Sequence, residues 1–318
     1  MGELYSQFPY DDAFRTMESE CDDILIHYVN FCHGTKYDGS ARIIRKRNEH
    51  FIEGDAHTEE KRVTDSMFEI IANGSVRKYH HECESSGYDG TVLIRMFEYG
   101  AQIALDTHRI VDNEIIVDFP IGCILMLRNG GDPPQEAFVT IKTPGGEVSY
   151  PVRIIRMAEL DIDRLFAERL YFLIPFYIFN IEKNFVRLEE ETKSLSDFGD
   201  FYSEIFARLE QEVSLGCLSV FSKSVIISLT HKVAFNLTRN KREIQGKVVE
   251  VMGGQVIELD VIKARREERE RSIKIFIEDK LEDSISKDVI QRKLEDKYSL
   301  CAEEAMAYIE KYSNIKTA

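Results

Sequence analysis

The sequence lacks an apolar run long enough to cross a membrane. A spanning helix needs about 20 consecutive apolar residues, and the closest segment, residues 170–181, is shorter and contains Pro175. The first ten residues have neither the basic nor the apolar region of a signal peptide. The six cysteines are scattered without a CxxC pair, which fits reduced thiols better than a disulfide framework. We therefore expect a cytoplasmic protein with no membrane partner.

Several catalytic signatures are also missing. Gly145-Gly146 is not followed by GK[ST], so a phosphate-cradling P-loop is excluded, and no GxSxG nucleophile motif is present. The His and Cys residues of segment 80–83, taken with Cys32-His33, are poorly spaced for zinc. Adjacent strand residues point to opposite faces, and a second ligand pair at normal spacing is absent. His80 is better interpreted as an ordinary sheet histidine, with proton transfer as the alternative.

Positive charge is scarce. The net charge of −15 argues against a nucleic-acid partner, because such proteins normally carry a basic surface. Two local basic runs, Arg42–Arg47 and Lys61-Arg62, stand out from this background. They indicate either phosphate contacts or an ordinary solvated surface. By length, the 318 residues fill one large domain or two ordinary ones.

The most informative feature that is present is a predicted β-hairpin around Asn73-Gly74. Asn-Gly between two extended runs favours a two-residue type I′ turn, because both central residues need a positive φ. This turn fixes the register of the two strands. The predicted cross-strand partners are Ala72 and Ser75, Phe68 and Tyr79, and Asp65 and Glu82.

This register gathers three carboxylates on one sheet face. Side chains alternate along a strand, so Asp65, Glu82 and Glu84 are predicted to point to the same side. Directly opposed carboxylates, with Cβ atoms about 5 Å apart, repel each other unless a positive group lies between them. A divalent cation is the simplest candidate.

These residues resemble the metal site of the PD-(D/E)XK nuclease superfamily, in which an Asp and a following Glu or Asp hold Mg²⁺ and a Lys lies two residues further on. The segment Asp11–Met17 resembles the opening helix of that fold, and Arg95–Leu105 resembles the helix after the metal strands. The chain is most similar to the Rpn-like, transposase-associated nucleases over about its first 180 residues. Those proteins usually carry Glu-x-Gln at the last motif, where this chain has Glu82-Cys-Glu84.

The resemblance implies a fold and a domain division. Residues 1–180 are expected to form a restriction-endonuclease-like α/β (α+β) core with a central mixed sheet flanked by helices. Residues 181–318, with long helical patterns, are expected to form an all-helical domain. Within the core, the pattern predicts one amphipathic helix over 10–32, a charged loop over 48–62, a buried central strand over 115–128 and a hairpin over 137–155.

The resemblance also implies an activity, a Mg²⁺-dependent endodeoxyribonuclease linked to recombination or mobile elements. Asp65, Glu82 and Glu84 would be the catalytic residues and the ligands of Mg²⁺ or Mn²⁺, with Glu84 as an extra ligand or general base. An acid of the first helix often joins this site, and Glu18, Glu20 and Asp22 are equal candidates. The residues expected to contact the substrate phosphate are Arg95, Tyr99, Lys61 and Arg62.

A protein of another class is the main alternative. The acidic charge and the missing Lys favour a nuclease-fold protein that no longer cuts and acts as an interaction or DNA-tethering subunit through its helical half. The three grouped carboxylates favour the enzyme. In either case the helical half is expected to select the target or to form a homodimer.

Overall fold

The computed structural model describes residues 9–45, 49–53, 59–63, 66–253, 255–283, 285–298 and 300–313. Side chains are described for 10–45, 66–253, 266–283, 285–298 and 300–313. The strands are β1 Arg42–Arg45, β2 Glu49–Glu53, β3 Glu59–Val63, β4 Ser66–Ala72, β5 Ser75–Glu84, β6 Arg109–Val111, β7 Glu114–Ile116, β8 Ile121–Met126, β9 Glu136–Thr143 and β10 Gly146–Arg156. The helices of the first 181 residues are α1 Pro9–Glu20, α2 Asp22–His33, α3 Val92–Asp106, α4 Ile162–Ala167 and α5 Ile178–Ile181.

A six-stranded mixed sheet of order β1-β4-β5-β8-β10-β9 forms the centre of the fold. The β4–β5 hairpin turns at Asn73-Gly74, both with positive φ, and pairs Phe68 with Tyr79 as the turn chemistry predicts. Strands β5, β8 and β10 run parallel to one another. Their carboxyl ends therefore lie at one edge of the sheet, where open α/β sheets usually bind ligands.

Both faces of the sheet are covered. On one face, Phe68 and Tyr79 join a large core with Phe14 of α1 and Tyr28 of α2. On the other face, α3 packs through Met96 against the sheet residues of a smaller core. Strand β8 contributes alternate residues to both cores, which confirms the prediction of a central strand covered on two sides. The sheet is therefore a middle layer between helices.

The rest of the described chain is helical, as predicted, with no strand after Arg156 in the described ranges. Its helices are α6 Phe185–Glu190, α7 Thr192–Ser214, α8 Val220–Leu237, α9 Arg242–Met252, α10 Gln255–Glu282, α11 Lys287–Tyr298 and α12 Ala302–Ser313. The large core continues from α1 through α9 to Met252. The end of α10 packs with α11 and α12 around a separate core, which includes Ile277, Leu294 and Ile309. Within the part of the chain that the structure describes, every helix is too short or too polar to cross a bilayer.

Three local predictions were wrong. The segment 10–32 forms two helices, because the chain leaves helical geometry at Cys21, with φ −125° and ψ 73°. The predicted charged loop over 48–62 contains β2 and β3, which pair with each other through main-chain groups that do not depend on side-chain polarity. The central strand starts only at Ile121, after Pro120, and the preceding residues form the separate β6–β7 hairpin.

Two loops meet at the carboxyl edge of the parallel strands. The loop after β5 and the loop after β8 are joined by a 2.7 Å hydrogen bond from the Tyr88 amide to the Gly130 carbonyl. Gly131 follows with φ +79°, and a Cβ placed there would lie 1.9 Å from the Tyr88 carbonyl oxygen. Only glycine permits this approach, which fixes the two loops beside the ends of β5 and β8.

We expect Gly131→Ala to destabilise the protein more than Gly74→Ala. Both positions have a positive φ, which costs a residue with a Cβ about 1–2 kcal/mol. Only Gly131 adds a backbone overlap, because a Cβ at Gly74 meets no atom within 4 Å. The additional loss should be about 1–3 kcal/mol, as at overpacked positions. Urea unfolding of the two variants measures this difference, and equal losses would contradict the loop contact.

Candidate functional site

The structure places the sequence-predicted site residues at the carboxyl end of β5. Glu82 and Glu84 lie on the α3 face of this strand, in register with Ile124 and Met126 of β8. The β4–β5 ladder is described as far as the Ser66–His81 pair. Asp65, the partner predicted for Glu82, lies outside the described residues. Lys61 and Arg62 belong to β3, but their side chains lie outside the described set.

Glu82 is a buried carboxylate, with only 3% of its surface exposed. Its Oε1 lies 2.9 Å from Nε2 of His80, and its Oε2 lies 3.5 Å from Nε of Arg95. A buried carboxylate is stable only when charged or polar partners replace the lost water. His80 and Arg95 provide this compensation from two directions.

Glu84 continues the site toward the end of the strand. Its Oε1 accepts hydrogen bonds from the Ser86 amide at 2.8 Å and the Ser86 hydroxyl at 2.7 Å, while its Oε2 lies 2.8 Å from Nη2 of Arg95. Burial by itself would raise the pKa of Glu84. The Ser86 amide, the Arg95 guanidinium and the Ser86 hydroxyl outweigh burial and hold the pKa below its usual value. Glu84 is therefore ionised at neutral pH.

Arg95 lies in the first turns of α3 and bridges the two carboxylates. One guanidinium contacts both Glu82 and Glu84, so their Oε2 atoms are held within the span of that group. The Arg95 side chain keeps 40% of its surface exposed, whereas the two carboxylates are largely covered. The sequence predicted that Arg95 would hold a substrate phosphate. In this structure it instead supplies the positive charge between the acids.

Tyr99 lies one helical turn after Arg95 and is 6% exposed. Its ring meets the His80 ring edge to face, with centroids 5.8 Å apart. His80 is fully buried and contacts Glu82, so Tyr99 packs behind the histidine that orients this carboxylate. This burial does not favour the direct contact with a substrate phosphate that the sequence predicted for Tyr99, and it leaves Tyr99 a supporting position behind His80.

The first-helix acid beside the site is Asp11, a residue that sequence reasoning did not select. Burial raises the pKa of Asp11 to about 6, Arg15 opposes this shift, and the negative charges of Glu82 and Glu84 add to it. The contributions of Glu82 and Glu84 place Asp11 near the same acidic group. Its position at the start of α1, outside the stretch with the clearest helical periodicity, explains why periodicity gave no signal.

The three first-helix candidates take part in other contacts. Arg45 of β1 pairs with Glu18 and Asp22, and Arg266 of α10 pairs with Glu20 at 2.6 Å. Burial raises the pKa of Glu18 to about 7, with Arg45 opposing the shift. These acids therefore connect α1 and α2 to β1 and α10.

The donor set has the chemistry of a hard cation site. Carboxylate oxygens are the ligands that Mg²⁺ and Mn²⁺ prefer, and Glu82 and Glu84 present theirs to a common point now contacted by Arg95. Asp11 adds a third acid close by. Among the described side chains, however, no three His, Cys, Asp or Glu residues already form a metal-ion arrangement. A cation would require Arg95 to move, or would use Asp65 as well.

No protein-family model, curated protein or solved structure matches this chain. The resemblance to the PD-(D/E)XK nucleases therefore stays a prediction. The mixed sheet flanked by helices is compatible with it.

We expect the pH dependence of stability to report on Asp11. Its folded-state pKa of about 6 lies above the ordinary value of 3.8, so the folded protein binds this proton more tightly. The associated stability is fully present below pH 3.8 and is lost as the pH rises through about 6. Urea unfolding between pH 4 and 7 should therefore show wild type losing stability relative to Asp11→Asn, and a constant difference would refute the assigned environment.

The same carboxyl tests whether Asp11 faces Glu84. In Glu84→Gln, one of the negative charges that raise the Asp11 pKa is removed. Carboxyl-carbon NMR should show the Asp11 pKa decreasing in this variant and unchanged in Glu147→Gln, an exposed control at the start of β10. Equal pKa values in both variants would place Asp11 away from the site.

Proposed function

We propose that the chain is a metal-dependent DNA endonuclease whose site lies at the carboxyl end of β5. The observation that carries the proposal is the convergence of Glu82 and Glu84 on one point, with Asp11 beside them, at the ligand-binding edge of a mixed sheet. Grouped, largely buried carboxylates cost free energy unless a cation serves them. The resemblance to Rpn-like nucleases adds the reaction class and the link to mobile elements.

Glu82 and Glu84, together with Asp65, would hold Mg²⁺ or Mn²⁺. Such an ion, when bound, polarises a phosphoryl oxygen and lowers the pKa of a coordinated water. His80 holds the Glu82 carboxylate in place through a 2.9 Å contact, and Tyr99 supports the His80 ring. The Ser86 amide and hydroxyl orient the Glu84 carboxylate through Oε1.

Proton transfer and charge compensation fall to the remaining groups of the site. Ionised Glu84 and Asp11 are both suited to accept a proton from an attacking water, and the Asp11 pKa of about 6 is closer to neutral pH. The chain has no Lys at the position of Glu84, so Arg95 is the nearest described cation that can face the charge developing on a phosphate. Arg95 reaches a phosphate only after it leaves the carboxylates.

The guanidinium of Arg95 also favours a second function, that of a binding protein that does not cleave DNA. Arg95 already neutralises the acids, so the site is electrostatically satisfied without a metal ion. Together with the net charge of −15, this supports a nuclease-fold protein that tethers DNA or another partner through its helical half and no longer cuts. The two functions differ in whether a metal ion displaces Arg95.

We expect pure protein to cleave supercoiled and linear DNA with Mg²⁺ or Mn²⁺ and to lose this activity in the presence of a chelator. Glu82→Ala and Asp65→Ala should lose cleavage because each removes a ligand of the ion. Glu84→Gln should also lose most of it, since an amide accepts no proton and binds hard cations weakly. A gel assay of all variants measures these losses.

The control for cleavage is Glu147→Gln, which removes an exposed carboxylate far from the carboxyl edge of β5. It should cleave like wild type. The proposed nuclease activity would be refuted if the wild-type protein cleaved DNA under none of these conditions. It would also be refuted if Glu82→Ala cleaved as well as wild type. Chelator-resistant cleavage would point to a contaminating or metal-independent activity.

Arg95→Gln should bind Mn²⁺ more tightly than wild type while cleaving less DNA. Removing the guanidinium removes the group that competes for the Glu82 and Glu84 oxygens, and one charged hydrogen bond is worth about ten-fold in affinity. Calorimetric titration measures the affinity without any need for turnover. Weaker Mn²⁺ binding in Arg95→Gln would show that Arg95 helps to build the cation site.

A further inference from the structure

A cavity at the opposite end of β5 has an unusual charge pattern. Its volume is about 380 Å³, and its lining residues come from the end of α2, the following loop and the β4–β5 turn. The lining residues are His33, Gly34, Thr35, Lys36, Tyr37, Ala72, Asn73, Ser75 and Arg77. These described residues include two cations and no Asp or Glu. In a chain with 56 acidic and 41 basic residues, this composition indicates an anionic ligand.

Among the described residues, the cations around this cavity have no acidic partner. Lys36 and Arg77 are exposed, and neither makes an ion pair with any residue that the structure describes. Arg153 of β10 lies close enough to lower the pKa of His33 and is likewise outside the described ion pairs. The carboxyl end of α2 contributes about half a negative charge at this point. Two full positive charges in the lining outweigh it.

The buried neighbour of His33 decides which nitrogen of His33 carries a proton. Nε2 of His33 lies 2.9 Å from Nε2 of His81. In this hydrogen bond only one of the two nitrogens carries a proton and donates it to the other. Nδ1 of His81 is buried and has no hydrogen-bond partner in the part of the chain that the structure describes. A bare nitrogen there costs less than an unsatisfied N–H donor, so His81 donates from Nε2 and His33 accepts. Neutral His33, which lines the cavity, then carries its proton on Nδ1.

Both imidazoles are neutral near pH 7, so each ring carries one proton, on Nδ1 in His33 and on Nε2 in His81. Burial lowers the pKa of His33 to about 4, and Arg153 adds to the effect. Burial, His33 and His80 lower the pKa of His81 as well. The cavity therefore presents an N–H donor from His33 beside the cationic Lys36 and Arg77.

We propose that this cavity binds a phosphoryl group through Lys36, Arg77 and the Nδ1–H of His33. Arginine and lysine are the residues that recognise phosphate most often, through charge-assisted hydrogen bonds. The volume suits a molecule the size of a mononucleotide, and pockets for small ligands begin near 300 Å³. The same chemistry fits a free phosphate compound and one phosphate of a nucleic-acid strand.

The phosphate cavity is separate from the carboxylate site. Arg77 and Glu84 are seven residues apart on β5, about 23 Å at the rise of a strand. They also point to opposite faces of the sheet, because their positions differ by an odd number. Binding in the cavity therefore depends neither on a divalent cation nor on DNA cleavage, and the test is made without metal ions.

The test is calorimetric titration of the full chain, in the presence of a chelator, with inorganic phosphate, with dAMP and with a short single-stranded oligonucleotide. Arg77→Gln and Lys36→Gln change exposed side chains, so folding should survive. The matched control is Lys142→Gln, an exposed cation on β9. Each lining variant should weaken binding by about ten-fold, as expected for one charged hydrogen bond, and the control should not.

Each outcome has a definite meaning. Binding of phosphate or dAMP that weakens only in the lining variants supports a site for a free phosphate compound. Binding of the oligonucleotide alone, with the same dependence, supports a nucleic-acid phosphate as the ligand. Absence of binding by all three probes overturns the proposal. Equal binding by the lining variants and Lys142→Gln also overturns it, because the interaction would then be a general charge effect.

The His33 part of the proposal has its own readout. Imidazole nitrogen NMR should show His33 protonated on Nδ1 and His81 protonated on Nε2 at pH 7. Addition of the probe that binds should shift the His33 Nδ1 resonance. Lys142→Gln should show the same shift as wild type. The opposite tautomers would remove His33 from the set of phosphate ligands.

Discussion

The charge balance at the carboxyl end of β5 depends on the guanidinium of Arg95. Glu82 and Glu84 project from alternate positions of the strand to the same face, which brings two negative charges together under cover of α3. Arg95 contacts both of them. Without a cation at this point, the ionised carboxylates would repel each other in a poorly solvated place. The position of α3, and hence the covered face of the sheet, is linked to this contact.

The same contact connects structure to function in two opposite ways. A guanidinium and a divalent cation are alternative counter-ions for one pair of carboxylates. The contact of Arg95 with both acids therefore fits an enzyme in which a metal ion displaces Arg95 and also a binding protein in which Arg95 stays in place. We favour the enzyme because Asp11 adds a third acid to the group from α1. The contact of Gly130 and Gly131 with Tyr88 fixes the loops that follow β5 and β8 beside this group.

Local chemistry explains what the sequence could predict. Asn73-Gly74 determined the hairpin register because few residues tolerate two successive positive φ values. The alternation of side chains along β5 placed Glu82 and Glu84 on one face. The apolar run ending at Leu127 indicated a central strand because both of its faces had to be buried. In each case the signal lies within a few consecutive residues.

Contacts between distant segments explain what the sequence could not predict. Asp11 approaches Glu82 and Glu84 through the packing of α1 beside the sheet, which local spacing does not specify. The continuous apolar spacing from Phe14 to Tyr28 likewise concealed the break between α1 and α2. The pairing of Arg95 with both carboxylates depends on how α3 docks on the sheet. A composition poor in positive charge likewise gave no sign that Lys36 and Arg77 would meet at one cavity.

The central claim is that Glu82 and Glu84 form a divalent-cation site, and paramagnetic broadening by Mn²⁺ tests it most directly. NMR signals of Ser86, Arg95 and Tyr99 should broaden at low Mn²⁺ concentrations, because these residues contact the two carboxylates or pack behind them. Signals of Ser75, about 23 Å from Glu82 along β5, should stay sharp. Broadening centred on another acidic surface, or spread evenly over the chain, would contradict the account.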